Sequence, residues 1–402
     1  MTSRRVLITG AGIAGPTLAY WLDRYGMEPT VLERAPELRL EGQNVDVRGA
    51  GRVVAARTGI EEAVRAAGTG ERGLAFVDGS GAVQAEFPVT SGDGSAGDGP
   101  TAELEILRGD LGQILFEHTA DRVHYRFGDH VVTLDDDGRR VRVGLEHGPD
   151  EEFDLVVAAD GVRSGTREIA MPGRADIRFL GLCMAYFTIP RDDTDTDWWR
   201  WYAAGEGRTI TLRPDRHGTT RVLLSFLSPS SAPARMSPDA QEELLRAEFT
   251  GAGWQAGRVL DGLGRAPDFS FEAISQVRAP TFASGRVGLL GDAAWCASPI
   301  SGRGTTLALL GAYVLAGELA RHDDHREAFA AYESVMRPHV RKAQKLPPGT
   351  PRIAHPRSRW GVRLLNGAAR SAASPVAGRL AGRLSALSAR PVDVPDYAAL
   401  SA

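Results

Sequence analysis

Arg4-Arg5-Val6-Leu7-Ile8-Thr9-Gly10-Ala11-Gly12-Ile13-Ala14-Gly15 is the stretch on which the fold turns. A short apolar run, Val6 to Ile8, meets three glycines spaced GxGxxG, and Leu18, Leu22 and Tyr25 then recur at helical spacing. Residues 28–33 read as a second strand ending in Glu33, so the opening predicts a strand–helix–strand unit. In such a unit Gly10 permits the tight turn, Gly12 lets backbone approach a diphosphate, and Gly15 lets the helix pack on the strand. The first helical residues, Ile13 and Ala14 among them, present free N–H groups to the anion. Glu33 is placed to accept hydrogen bonds from ribose hydroxyls, with Arg34 as a further contact beside it. A lone GxGxxG is weak; here strand, helix and acid all stand at the required places.

Outward from this unit, the 402 residues suffice for two domains, and 43% hydrophobic with 24% charged residues is ordinary globular composition. Net charge is -4, which gives no electrostatic reason to seek nucleic acid. No run reaches the roughly 18 apolar residues of a membrane span, and no room for a signal peptide precedes the first strand. A cytoplasmic protein, monomer or homodimer, without integral membrane association is therefore expected. Cys183 and Cys296 are far apart, and His322 and His325 sit in a polar run, so no metal site is expected. Lysine occurs only at 342 and 345, which excludes a catalytic lysine from the first three hundred residues.

Further along, helix is predicted after Arg52 with a break at Gly59, and a hairpin over 73–89. A polar Gly/Ser/Asp tract at 91–99 reads as a mobile loop. Residues 102–119 read as helix, and 122–157 as three strands ending in the buried run Asp154 to Ala159. From 174 to 276 long β-runs and aromatics take over, with one amphipathic helix around 238–249. The α/β pattern returns at Gly285 and runs into a long helix from about Gly304. The reading is an α/β fold with a Rossmann-like domain over 1–72, 101–173 and 277–345. A β-sheet domain over 73–100 and 174–276 is inserted into it, and a C-terminal helical segment covers 346–402. Residues 347–392 carry eight arginines and no acid, and are read as a helix docked on an acidic face of the same protein, or else as a membrane-surface helix.

Two further motifs narrow the chemistry. Asp160-Gly161-Val162-Arg163-Ser164-Gly165-Thr166-Arg167 matches DGxxSxxR without a gap, and Gly291-Asp292-Ala293-Ala294 is followed by Pro299, Gly302, Gly304 and Thr305. At these residues the chain resembles the class A flavoprotein monooxygenases, the family of p-hydroxybenzoate hydroxylase. Within it, the members that oxidise polycyclic antibiotics, such as the tetracycline-inactivating enzymes, are the most similar. The resemblance spans the whole cofactor domain and is weak over 174–276.

It implies bound FAD, with NADPH or NADH as electron donor, and transfer of one oxygen atom from O2 to an aromatic or polycyclic small molecule through a C4a-hydroperoxyflavin. Carried over by position, Asp292 would hold the ribityl and phosphate region. The Pro299–Gly304 turn would lead a helix N-terminus to the isoalloxazine, where its dipole favours the anionic reduced ring. Arg108 and Asp46 would contact the cofactor, Asp160 and Gly161 fall in the segment tied to FAD, and Arg39 and Arg163 are candidates for NAD(P)H. Asp160 is read equally as a helix cap, Arg39 as a solvated arginine, and Trp295 as a pocket wall or as filler.

No catalytic residue is assigned. Tyr186, Trp201, Arg213 and Phe226 are the substrate-pocket candidates, with core packing the alternative for each. Other readings are a flavin reductase or dehydrogenase, or a flavin-fold binding protein without turnover. A halogenase is set aside for lack of its lysine and its tryptophan motif.

Overall fold

The computed structural model describes residues 3–89, 102–347, 349–374 and 394–400. Val6 and Ile8 are fully buried and Leu7 nearly so, because the strand Arg5–Thr9 lies inside a sheet covered on both faces. It pairs in parallel with Glu28–Glu33 on one side and Leu155–Ala158 on the other. The full order of this six-stranded sheet is Ala283–Ser284, Val287–Leu289, Leu155–Ala158, Arg5–Thr9, Glu28–Glu33 and His124–Phe127. The helices Ala14–Arg24 and Gly304–Arg321 pack on one face and on each other. A small three-stranded antiparallel sheet covers the other face, its Val141, Val143 and Phe153 meeting Leu7, Leu32 and Val156. The parallel strands all end at the glycine-bearing loops, so the chemistry of those loops converges at one edge.

A seven-stranded sheet runs in the order Ser270–Arg278, Asp176–Pro190, Thr219–Leu227, Arg208–Pro214, Trp199–Gly205, Gly73–Val77 and Val83–Pro88. Side chains alternate between its two faces. Cys183, Phe187, Ile210, Leu212 and Phe226 pack under the helices Pro238–Phe249 and Ala256–Leu263. The opposite face carries Leu182, Met184, Tyr186 and Ile274, with Leu223 and Leu227, and Ile300 of the turn Pro299–Ser301 packs against it. That contact sets the sheet against the glycine-rich edge of the other unit.

Three expectations need correction. Residues 102–119 are not helical throughout: Glu105–Leu107 is a strand, paired with Asn44–Asp46, and the helix begins only at Arg108. Glu105 and Ile106 are buried in that pairing, which overrides their helical propensity. Residues 122–157 hold strands at His124–Phe127, Val131–Asp136, Val141–Leu145, Glu151–Phe153 and the start of Leu155–Ala158, more than the three read from their turns. The arginine-rich helix Arg359–Ala372 rests on the strands Trp199–Gly205 and Val83–Pro88 rather than on an acidic face. Its polar tie is Arg370 to the Gln84 amide oxygen, at 3.0 Å. The tract at 91–99 lies outside the described residues. Among the described residues no helix is long and apolar enough to cross a membrane, and no group of His, Cys, Asp and Glu is arranged to hold a metal ion.

Candidate cofactor-binding site

Gly10 has φ +101°, and a Cβ there would fall 2.6 Å from the Ala159 carbonyl oxygen, so only glycine fits this turn. A Cβ on Gly15 would fall 2.0 Å from the Gly10 oxygen, which fixes how closely the helix Ala14–Arg24 can approach the strand before it. Glu33 closes the loop from the other side. Its carboxylate accepts from the Ala11 and Ala35 N–H groups, each at 2.9 Å, and from Arg39 at 3.3 Å. Burial opposes its charge, but the two N–H donors and Arg39 outweigh burial and hold the carboxyl below the usual carboxylate range.

A cavity of about 210 Å³ opens between the glycine loop, Glu33, Arg34, Arg108, Asp160 and Arg163. Arg108, at the start of the helix Arg108–Glu117, reaches over the loop: its guanidinium lies 3.4 Å from where a Cβ on Gly12 would stand. A guanidinium and a helix N-terminus converging on bare backbone form an anion cradle.

The second motif is built around Asp160. It accepts from the Ser164 hydroxyl and, at 3.2 Å, from the Thr166 N–H, so it braces the turn entering the helix Gly165–Ala170. Arg163 lines the cavity and leans on the Ala234 carbonyl at 3.5 Å. Arg167, quoted in the motif but given no role by the sequence, is 3% exposed. It donates to the Val162 oxygen at 3.1 Å and to the Ala293 oxygen at 2.8 Å, stitching the second motif to the third.

In the third motif Gly291, at φ +61°, turns the chain so that Asp292 begins a single helical turn. The Asp292 side chain keeps open surface. Burial pushes its carboxyl above the carboxylate range, while the Cys296 thiol and Arg108 pull the other way. Ser298 has φ +77° and ψ 153°, a conformation close to glycine-only, and its buried hydroxyl has no partner among the described residues. Sequence reasoning passed over it, since nothing in the string Ala-Ser-Pro signals a strained serine. After Pro299–Ser301 and Gly302 the helix Gly304–Arg321 starts. Thr306 in its first turn bonds the Arg48 oxygen at 3.1 Å, which holds Asp46 nearby in an ion pair with Arg48 at 2.7 Å. Trp295 does not line the cavity at the glycine loop: it is 1% exposed, packs between Phe282 and Tyr332, and borders instead a separate cavity with Arg278, Phe282 and Arg337.

Across from these loops, register places Tyr186, Leu223, Thr211, Trp201 and Phe76 in one transverse row on the face that meets Ile300. Among the described residues the Tyr186 hydroxyl bonds the Met184 sulfur, at 3.1 Å, and the Thr211 hydroxyl and the Trp199 and Trp201 indole N–H groups have no partner. Phe226 is on the wrong face for a pocket residue. It meets Phe249 edge-on and Phe271 at a tilt under the helices, and Tyr202 shares that side with Trp254. Their odd-even position relative to Tyr186 and Trp201 decides this. Arg213 is on the hollow side but not free: it grips Glu71 at 2.8 and 3.1 Å and also pairs with Glu105. Arg39, likewise, is engaged by Glu33. Glu272, unnoticed in the sequence, stands directly opposite Met184 and is exposed.

The chain matches the family described as FAD binding domain over residues 3–346. It is 38% identical to the flavin-dependent monooxygenase eupH of Phoma sp, covering 99% of this chain and 98% of that protein. It is 36% identical to the FAD-dependent monooxygenase asL4 of Sarocladium schorii, covering 91% of each. Its structure is similar to that of the tetracycline destructase Tet(51), with a TM-score of 0.81 at 28% identity over 98% of this chain and 100% of that one. The glycine cradle that a Cβ would fill and Arg108 above it offer donors to a diphosphate, and the Glu33 and Asp292 carboxylates offer acceptors to hydroxyls, a set that fits an FAD dinucleotide. On sequence, geometry and kinship together, the chain belongs to the FAD binding domain family of flavin-dependent monooxygenases.

Proposed function

We propose that this chain uses NADPH or NADH and O2 to insert one oxygen atom into an aromatic or polycyclic small molecule lying between the seven-stranded sheet and the flavin. The observation that carries the reading is the juxtaposition of the glycine, Asp160 and Asp292 loops with a sheet face rich in aromatic and apolar side chains. Bound FAD supplies the redox chemistry, accepting hydride equivalents and activating dioxygen.

The protein's part is binding, orientation and exclusion of water. The glycine loop, Glu33, Arg34, Arg108, Asp160, Gly161 and Asp292 hold the dinucleotide. The N-terminus of Gly304–Arg321 brings partial positive charge to the turn where reduction adds negative charge. Leu182, Met184, Leu223, Leu227 and Ile300 keep the hollow dry. Tyr186 and Trp201 belong to the row best placed to stack on a flat ring. No second nucleotide-binding unit occurs among the described residues. That favours transient docking of NAD(P)H at the open side, with Arg163 the freer of the two candidate arginines and Arg39 held by Glu33. Likeness to a tetracycline destructase supports a multi-ring substrate.

The test is product analysis under ¹⁸O2 with NADPH and a panel of polycyclic phenols. One labelled oxygen in the product, with NADPH consumption that depends on the substrate, is expected. NADPH oxidation yielding only hydrogen peroxide with every panel member would overturn the reading.

A further inference from the structure

A second cavity, of about 420 Å³, borders Ala294 and Trp295 of the third motif and shares no lining residue with the one at the glycine loop. It lies between the end of the strand Ser270–Arg278, Phe282 and the last turns of the helix His325–Gln344. Its volume is in the range of small-molecule sites. Four cations line it: Arg278 from the strand, Arg337 and Arg341 from the helix, and Lys345 at the helix end. Among the described residues no carboxylate lines it. Arg337, Arg341 and Lys345 follow at intervals of four, which sets like charges one above another, a destabilising arrangement in the absence of a counter-charge.

Only one of the four is answered within the chain. Arg337 donates to Glu333 at 3.0 Å and to the Pro280 oxygen at 2.8 Å, and its guanidinium lies 4.4 Å over the Phe282 ring. Arg278 has a single tie, to the Gln276 amide oxygen at 2.9 Å, and Asp176, across the strand pair from it, makes no ion pair with it. Arg341 and Lys345 are exposed and have no hydrogen-bond or ion-pair partner among the described residues. The carbonyls at the helix C-terminus offset part of this charge. They do so equally for Lys342, which is exposed but does not line the cavity. A concave wall of one sign focuses its field on the space it encloses, and guanidinium groups match phosphate oxygens with paired N–H donors. A lone phosphate would fill a small part of the volume, which leaves room for an organic body.

We propose that this cavity binds a phosphorylated small molecule, its phosphates held by Arg278, Arg341 and Lys345, at a place separate from the flavin. The site uses neither the glycine cradle nor the aromatic sheet face, so it stands independently of the oxygen-insertion reading. FAD-loaded protein, its dinucleotide cradle already filled, is dialysed to equilibrium against labelled pyrophosphate and, separately, labelled ADP, with sulfate as competitor. One molecule of each should bind per chain, more weakly as salt rises, and sulfate should displace it only at far higher concentration. Arg341→Ser combined with Lys345→Ser, both at exposed positions, should weaken each ligand by about tenfold or more, with FAD content and melting temperature unchanged. Lys342→Ser, which removes a charge from the same helix turn outside the cavity, should alter the affinity by about twofold at most. Absence of binding by both ligands, sulfate competing on equal terms, or equal losses in the Lys342 variant and the double variant would overturn the proposal.

Discussion

Arg167 shows what a single side chain contributes here. Its guanidinium satisfies carbonyls from two motifs that are 126 positions apart at the longer link. Arg167→Ala would strand both oxygens in the interior, at about 1–3 kcal/mol each, and release the Asp292 turn from the Asp160 turn. The expected result is a melting temperature lower by several degrees together with weaker flavin retention, read by calorimetry and by flavin absorbance after gel filtration. Full FAD occupancy and unchanged melting would contradict the linking role. Asp292→Ala should leave folding nearly intact but weaken FAD binding about ten- to a hundredfold, the worth of one charge-assisted hydrogen bond. Equal retention by the variant would remove Asp292 from the cofactor contacts.

Residues of this kind divide sharply by legibility. Gly10 and Gly15 could be read because strand, turn and helix follow one another within a few positions, although the atom a Gly10 side chain would strike, the Ala159 oxygen, comes from distant chain. Arg167 and Ser298 could not. Their meaning depends on a carbonyl supplied by distant chain and on a strained dihedral.

Among elements, the segment Thr350–Ala354 with its following His355 illustrates how the C-terminal part is held. His355 donates from Nδ1 to the Pro351 oxygen at 2.8 Å, so its Nε2 must accept from the Ser225 hydroxyl, also at 2.8 Å. Burial holds the imidazole down, to about 4. The unfolded side chain titrates near 6.5, so the folded protein takes up its proton later than the unfolded chain does. Stability from this group is whole above about pH 6.5 and is lost as pH falls towards 4, amounting to about 2–3 kcal/mol at pH 4.5. His355→Gln should therefore lose less stability than the unmodified protein between pH 7 and pH 4.5, as followed by denaturant midpoints. Parallel losses would show that His355 is not the titrating group.

The same scale explains the misread stretch at 102–119. Helical spacing in Leu111, Ile114 and Leu115 is real, but Glu105 to Leu107 is claimed by Asn44–Asp46 across the chain, and no local pattern announces a partner sixty positions away. By contrast the strand Glu28–Glu33 and the helix Pro238–Phe249 fall where the sequence pattern placed them, and the structure adds a cap to the latter, Ser237 accepting from the Ala240 N–H.

For the molecule as a whole, three motifs spread over some three hundred residues become one edge of one sheet, and that convergence was legible because each motif follows a strand. The opposing sheet was legible as strands but not as faces. A β-strand places neighbours on opposite sides, so Phe226 and Tyr186 could be separated only once the register was known. Packing of the first helix on its own strand has its own prediction. Gly15→Ala puts a methyl 2.0 Å from the Gly10 oxygen, and the helix must move away from the cradle. A loss of about 1–3 kcal/mol with markedly reduced flavin content is expected from paired calorimetry and absorbance.

The central claim, that these loops and this sheet together form a flavin monooxygenase, is most directly tested by oxygen uptake of the purified protein loaded with FAD, in the presence of NADPH, with and without a polycyclic phenol. The account predicts a yellow protein whose oxygen uptake is slow alone and rises severalfold with the phenol, with one oxygen consumed per hydroxylated product. A colourless protein that takes up no FAD, or a flavoprotein whose oxygen uptake no ring compound alters, would contradict it.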